Sequence, residues 1–323
     1  MRRSTARTRS IAAGVTLAAI ASAASPVTQP EAYALPTATS GLTGASALSS
    51  LYAAVQGDIR RARTTARQAG DTAEAAVMTA FLAPGRRFLA FDPRGSGRAI
   101  EVNGDLAKAD RIAVVVPGAD GLLGNFDSAK WAGGGARSLH RQAASSAPGT
   151  RLATVGWLGY DSPSTRSTAV LTDGRADDAG RELARFVTGL YRVNPGAEVA
   201  LLCHSYGSVV CAKAAPRLAG SQVDEVALYG SPGIDAQAAA SFKPAARVWA
   251  ARSGGDWTRF VPKFRVAGLG FGPDPSAASV GATRFDAGTG PHSAYLLPGS
   301  PSLRNLTLIA LGRDSEVTHA RNV

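Results

Sequence analysis

Glu198-Val199-Ala200-Leu201-Leu202-Cys203-His204-Ser205-Tyr206-Gly207-Ser208-Val209-Val210-Cys211 decides the fold. It begins as a short apolar strand and ends as a helix whose first residues are small. Ser205 stands at the turn between them, where a strand passing straight into a helix strains the backbone and lifts the hydroxyl clear of the sheet. Small residues near the serine and a helix start just after it permit that turn, and Gly207 and Ser208 supply the first condition. The Tyr206 amide opens the helix and is a candidate oxyanion donor.

Working outward, Arg111-Ile112-Ala113-Val114-Val115-Val116 is a continuous apolar run, the pattern of a strand buried on both faces. Before it, Arg87–Asp92 and Arg98–Val102 flank the turn-rich Pro93-Arg94-Gly95-Ser96-Gly97 and read as a hairpin. After it come a helix over about Ser128–Ala144, a strand at Leu152–Trp157 and a helix over Asp173–Tyr191. Beyond the elbow lie a strand at Val223–Tyr229, a short helix near Ala236 and a strand at Arg247–Ala251. Thr283–Asp286 reads as a last strand and Ser302–Leu311 as a last helix. Such alternation predicts an α/β fold, one mostly parallel sheet with helices on both faces. Leu48, Leu51, Val55 and Ile59 recur at helix spacing from Ser46, and a second amphipathic piece, Thr72–Leu82, ends at Pro84-Gly85. These N-terminal helices (46–83) either cap the site or cover a sheet edge.

In a sheet of this kind the chemistry collects beyond the carboxyl ends of the strands, and the base follows the nucleophile and the acid in chain order. Of four histidines, His140 comes too early, and His204, beside the serine, is expected to point away and serve packing or orientation. His292 lies in a loop after the last strand and is preferred to His319, which sits in the charged tail. Asp256 follows the penultimate strand after Arg252-Ser253-Gly254-Gly255 and is preferred as the acid to Asp235 and Asp274. Pro117-Gly118-Ala119 ends the central early strand, so Ala119 is the candidate second oxyanion donor, with Gly118 against the substrate. Tyr160, after another strand end, is a candidate pocket wall. The stretch Trp257–Gly281, with Phe264, Leu269 and Phe271 among glycines, reads as a mobile apolar cover or a long packed loop.

The chain has 323 residues and a formal net charge of +11. Arg2, Arg3, Arg7 and Arg9 precede the apolar run Ile11–Ala24, too short to span a bilayer, and Ala32-Tyr33-Ala34 offers a small-x-small cleavage site. Residues 1–34 therefore read as a signal peptide and 35–45 as a flexible linker to a single domain over 46–323. The expected location is outside the cell or in its envelope, with no membrane segment left after processing. Removing four arginines and Glu31 lowers +11 to +8, spread along the chain. No basic block interleaved with aromatics suggests nucleic-acid binding. No Cys/His cluster has metal-ligand spacing, so neither metal nor organic cofactor is expected. Cys203 ends a strand and Cys211 lies almost two turns into a helix, a placement that favours two buried thiols over a disulfide.

Phe88-Leu89-Ala90-Phe91-Asp92, Val116-Pro117-Gly118, Gly156-Trp157-Leu158-Gly159-Tyr160-Asp161, His204-Ser205-Tyr206-Gly207-Ser208, Gly230-Ser231-Pro232-Gly233 and His292-Ser293-Ala294-Tyr295 follow one another in that order. As a set, over about residues 80–300, they resemble an actinobacterial family of secreted α/β-hydrolases of unknown function. The resemblance implies the α/β-hydrolase fold and a Ser-Asp-His hydrolase built on Ser205, Asp256 and His292; it implies no substrate. Cys203 stands where that family usually has Gly. The expected activity is ester hydrolysis on a small-molecule or lipid ester. Acyl transfer to an envelope alcohol, or an inactive binding protein of the same fold, are the alternatives.

Overall fold

A computed structural model describes residues 33–36, 42–167, 174–242, 246–265 and 270–320. Most of the expected signal peptide and half of the expected linker lie outside those residues. So do residues 266–269 of the expected cover.

Helix α1 (Leu48–Gln68) and helix α2 (Thr72–Phe81) come first. Asp71 caps α2 by accepting from the Glu74 amide at 2.9 Å, which satisfies one of the donors a helix start leaves open. The predicted hairpin follows as β1 (Arg87–Asp92) and β2 (Arg98–Asn103), then β3 (Arg111–Val116), α3 (Ala132–Ser146) and β4 (Leu152–Leu158). Next are α4 (Gly174–Val193), β5 (Glu198–His204), α5 (Tyr206–Leu218), β6 (Val223–Tyr229), α6 (Ala236–Ser241) and β7 (Arg247–Ala251). The last elements are β8 (Thr283–Arg284) and α7 (Pro301–Ala310).

The strands form one sheet in the order β1-β2-β4-β3-β5-β6-β7-β8. β1 and β2 run antiparallel to their neighbours, and every pairing from β4 to β8 is parallel. Side chains alternate across a strand, so the apolar runs feed two cores. Val114 and Val116 of β3 and Leu201 and Cys203 of β5 pack with Leu183 and Val187 of α4 and Val209 and Val210 of α5. Val115 and Leu202 face the other way, onto Leu139 of α3 and Leu303 and Leu306 of α7.

The two N-terminal helices cover the antiparallel end of the sheet. Val55 and Ile59 of α1 and Met78 and Phe81 of α2 join Phe88 and Phe91 of β1 in a third cluster. Phe81 stacks on Phe88 at 4.9 Å between ring centroids, and the Arg86 guanidinium lies 5.0 Å from the Phe88 ring. Of the two roles open to residues 46–83, the structure chooses the sheet edge.

Two cysteines expected as thiols are joined instead: Cys203 and Cys211 form a disulfide with 6.5 Å between their Cα atoms. Cys203 points to the face on which α5 folds back after the turn, and that reversal brings a residue eight positions on within bridging distance.

Candidate active site

Ser205 lies between β5 and α5 with φ 52° and ψ −124°, a left-handed backbone for a non-glycine residue and a local strain. Its amide donates to the Tyr229 carbonyl at 2.9 Å, and Ser208 Oγ lies 2.6 Å from both the Ser205 carbonyl oxygen and Ser231 Oγ. The Gly-Ser-Pro-Gly turn after β6 thus buttresses the elbow. Crowding explains the glycines here. A Cβ at Gly207 would fall 2.6 Å from the carbonyl oxygens of Val116 and Pro117, and one at Gly118 would fall 2.7 Å from the Ser205 Cβ.

The imidazole of His292 spans the gap to the acid. Its Nε2 is 2.9 Å from Ser205 Oγ, and its Nδ1 is 2.9 Å from both carboxylate oxygens of Asp256. Asp256 is fully buried. Besides His292 it accepts from the Thr258 amide and hydroxyl, both at 2.7 Å, and from the Tyr295 hydroxyl at 2.6 Å. Burial pushes its carboxyl up, but the donors from His292, Tyr295 and Thr258 outweigh burial and hold it well below the usual carboxylate range. An acceptor-only carboxylate fixes Nδ1 as the protonated nitrogen, leaving Nε2 to accept from the serine hydroxyl.

His204 lines the same cavity as Ser205 but engages the His292 loop. Its Nε2 lies 2.9 Å from the His292 carbonyl oxygen, and its ring packs 4.7 Å from that of His292 and 5.2 Å from that of Tyr229. Burial first, and then the neighbouring His292, push its pKa down to about 3. It is therefore neutral and donates through Nε2, anchoring the loop that carries His292. The remaining candidates lie elsewhere. Asp274 pairs with Arg252 and accepts from Ser276, Asp235 accepts from the Gln237 amide, and His319 lies against Trp249.

Gly118, Ala119, Ser205, Tyr206 and His292 line one cavity of about 410 Å³, walled further by Trp131, Pro232, Trp257, Val261 and Phe271. Tyr206 is the first residue of α5, directly after Ser205. Tyr160 does not line this cavity. It is buried against Trp157, and its hydroxyl lies 3.0 Å from the carbonyl oxygens of Pro117 and Gly118. Ser162 Oγ donates to the Gly118 carbonyl at 2.9 Å and accepts from the Gly121 amide, and Asp120 accepts from the amide and hydroxyl of Thr165. The strand end that suggested a pocket wall turns beneath the 117–121 loop and pins it.

Sequence reasoning missed Thr258, Tyr295 and Ser162. An Asp followed two residues on by Thr signals a local side-chain-to-backbone turn, so Thr258 was within reach. Tyr295 closes the His292-Ser293-Ala294-Tyr295 motif, but nothing in the residue order assigns its hydroxyl to Asp256.

Residues 92–266, more than half of the chain, match the family described as alpha/beta hydrolase. The chain belongs to the alpha/beta hydrolases. An uncharacterized protein of Mycobacterium tuberculosis is 32% identical over 261 residues, which cover 69% of this chain and 39% of that protein. Another, from Mycobacterium bovis, is 34% identical over 152 residues, covering 45% of this chain and 56% of its own. The matches thus span less than two thirds of the relatives' length. Among solved structures, this alpha/beta hydrolase is similar to a dienelactone hydrolase-like promiscuous phosphotriesterase from metagenomic libraries. That likeness has a TM-score of 0.45 at 15% identity, over 72% of this chain and 98% of the other. A serine hydrolase involved in carbazole degradation gives a TM-score of 0.41 at 13% identity, over 71% and 98%.

Proposed function

We propose that this alpha/beta hydrolase is an exported serine esterase in which Ser205, His292 and Asp256 act as one unit. The reading rests on the unbroken row of hydrogen bonds from Ser205 Oγ through both nitrogens of His292 to a buried carboxylate, opening on an apolar cavity. Ser205 Oγ attacks the ester carbonyl carbon while its proton passes to His292 Nε2. Asp256 stays ionised and stabilises the imidazolium. The carbonyl oxygen, now an anion, takes hydrogen bonds from the Tyr206 and Ala119 amides. Collapse breaks the bond to the alcohol, which leaves with the proton from His292. Water then gives a proton to the same nitrogen, attacks the acyl carbon and restores Ser205 as the acid departs.

The cavity lies toward the small end of the range for small-molecule sites, which favours esters of short to medium acyl chains. Export is supported by the arginine-led apolar run and by Ala32-Tyr33-Ala34. The decisive experiment is labelling with a fluorophosphonate probe. Covalent labelling that disappears in Ser205→Ala supports the reading. A folded wild type that takes no label and hydrolyses no p-nitrophenyl ester of any chain length overturns it. N-terminal sequencing of protein recovered outside the cell should begin at Leu35.

A further inference from the structure

Five large hydrophobic side chains are exposed among the described residues, and three of them fall within eight positions. Trp257 is 51% exposed, Phe260 79% and Phe264 58%. They belong to Trp257-Thr258-Arg259-Phe260-Val261-Pro262-Lys263-Phe264-Arg265, which carries three cations and no carboxylate. The segment starts as a single 3₁₀ turn, Trp257–Phe260, directly after Asp256. Arg259 donates to the Asp256 carbonyl at 3.1 Å and to that of Gly254, and its guanidinium lies 5.4 Å from the Phe260 ring. Lys263 Nζ donates to the carbonyls of Ser231 and Pro232 at 3.1 and 3.0 Å. Two cations thus tie the backbone to the rim of the site while the rings of Phe260 and Phe264 stay in water.

Isolated exposed apolar residues are ordinary, but three aromatic rings clustered on one tethered segment are a surface seeking an apolar partner. Lys263 faces Asp274 at 3.9 Å and Arg265 faces Asp235 at 3.6 Å. The excess of cations decides the partner: Arg252, Arg259, Lys263 and Arg265 stand against those two carboxylates. Aromatic rings settle at the level of lipid headgroups, and Arg and Lys beside them meet phosphates there, an attraction that grows with the anionic share of the surface. The position agrees with this chemistry, because Trp257 and Val261 of the same segment wall the Ser205 cavity and Trp257 packs 4.9 Å from the His292 ring. A surface held here meets the cavity mouth.

We propose that Trp257–Arg265 docks the protein on an anionic lipid bilayer, with the rings of Phe260 and Phe264 among the headgroups and the mouth of the Ser205 cavity facing the lipid. This deepens the esterase reading by naming a lipid surface as the place from which substrate enters, but the docking itself does not depend on catalysis.

Sedimentation with vesicles tests it. The probes are phosphatidylcholine alone and an equal mixture with phosphatidylglycerol. The variants are Ser205→Ala and the double substitution Phe260→Ser/Phe264→Ser, whose thermal melt should stay close to the wild type because both rings are more than half exposed. Wild type and Ser205→Ala are expected to sediment with the mixed vesicles and several-fold less with phosphatidylcholine. The double variant should bind the mixed vesicles about tenfold or more weakly, while hydrolysing a short water-soluble ester at the wild-type rate. Three results overturn the proposal. One is a wild type that ignores anionic vesicles. Another is a double variant that binds as well as wild type, which would make net charge alone responsible. The third is a lipid-free dimer that the double substitution dissociates, which would make the segment a protein interface. If no variant or wild type hydrolyses any ester, the esterase reading fails while the vesicle result stands on its own.

Discussion

Two carboxylates are buried at opposite ends of a pair of neighbouring parallel strands and behave in opposite ways. Glu225 sits near the start of β6, inside the core, and receives one hydrogen bond, from Trp249 Nε1 at 2.6 Å. Burial pushes its carboxyl up to about 7, against the lowering effect of that bond. Asp256 sits beyond the end of β7, is buried as deeply, and is held far down because donors from His292, Tyr295 and Thr258 converge on it. Burial is therefore not what makes a carboxylate useful to a base. The number of donors aimed at its charged form is, and those donors gather where loops from several strand ends meet.

The largest test of this contrast is turnover. Asp256→Asn should lower kcat on a p-nitrophenyl ester by about 10³–10⁴-fold, because the amide cannot hold His292 in the tautomer that accepts from serine. Glu225→Gln should leave kcat within about twofold, since it touches nothing at the site. Equal losses in both would erase the distinction.

The next test is stability against pH. The folded protein holds a proton on Glu225 more tightly than the unfolded chain does. Stability from this site is full below pH 4.5 and is lost as pH rises through about 7. By pH 7 the loss reaches about 3 kcal/mol, which Glu225→Gln should recover in urea melts. Asp256 runs the other way, present above the ordinary carboxylate range and lost as pH falls below it. His204 sharpens the same limb. With its pKa pushed down to about 3, its contribution is full above pH 6.5 and drains away on acidification, and His204→Gln should flatten that slope.

Smaller effects should follow the individual donors. Tyr295→Phe removes the hydrogen bond to the Asp256 carboxylate and the one accepted from the buried Ser253 amide, and should cost about 1.5–3 kcal/mol of stability, seen in the same melts. Thr258→Val keeps the amide donor at Asp256 and loses only the hydroxyl. It should cost about 1 kcal/mol and leave kcat within about threefold. A Thr258→Val loss larger than that of Tyr295→Phe would mean that the donors are not ranked by what each leaves behind.

Much of this architecture is legible before any coordinates. The run 112–116 reads as a strand covered on both faces, since its five consecutive apolar positions leave neither face polar. The turn at Ser205 follows from a strand meeting a helix with only small residues between them. The order serine, acid, base singled out Asp256 and His292, and they meet at Ser205. Tyr160 was misread because a residue after a strand end can turn toward the cavity or under the neighbouring loop, and the chain carries no mark of which. The cysteines were misread because spacing along a strand and helix ignores the reversal that folds one back on the other.

From residue order alone came the alternation of strands and helices, the strained serine and its partners, because those depend on local periodicity, turn chemistry and connection rules. Only the tertiary structure decided that α1 and α2 cover a sheet edge, that Cys203 meets Cys211, and that Tyr295 and Thr258 complete the shell of Asp256. Those outcomes depend on which face each side chain presents once distant loops converge, and that is settled by packing between elements rather than within them.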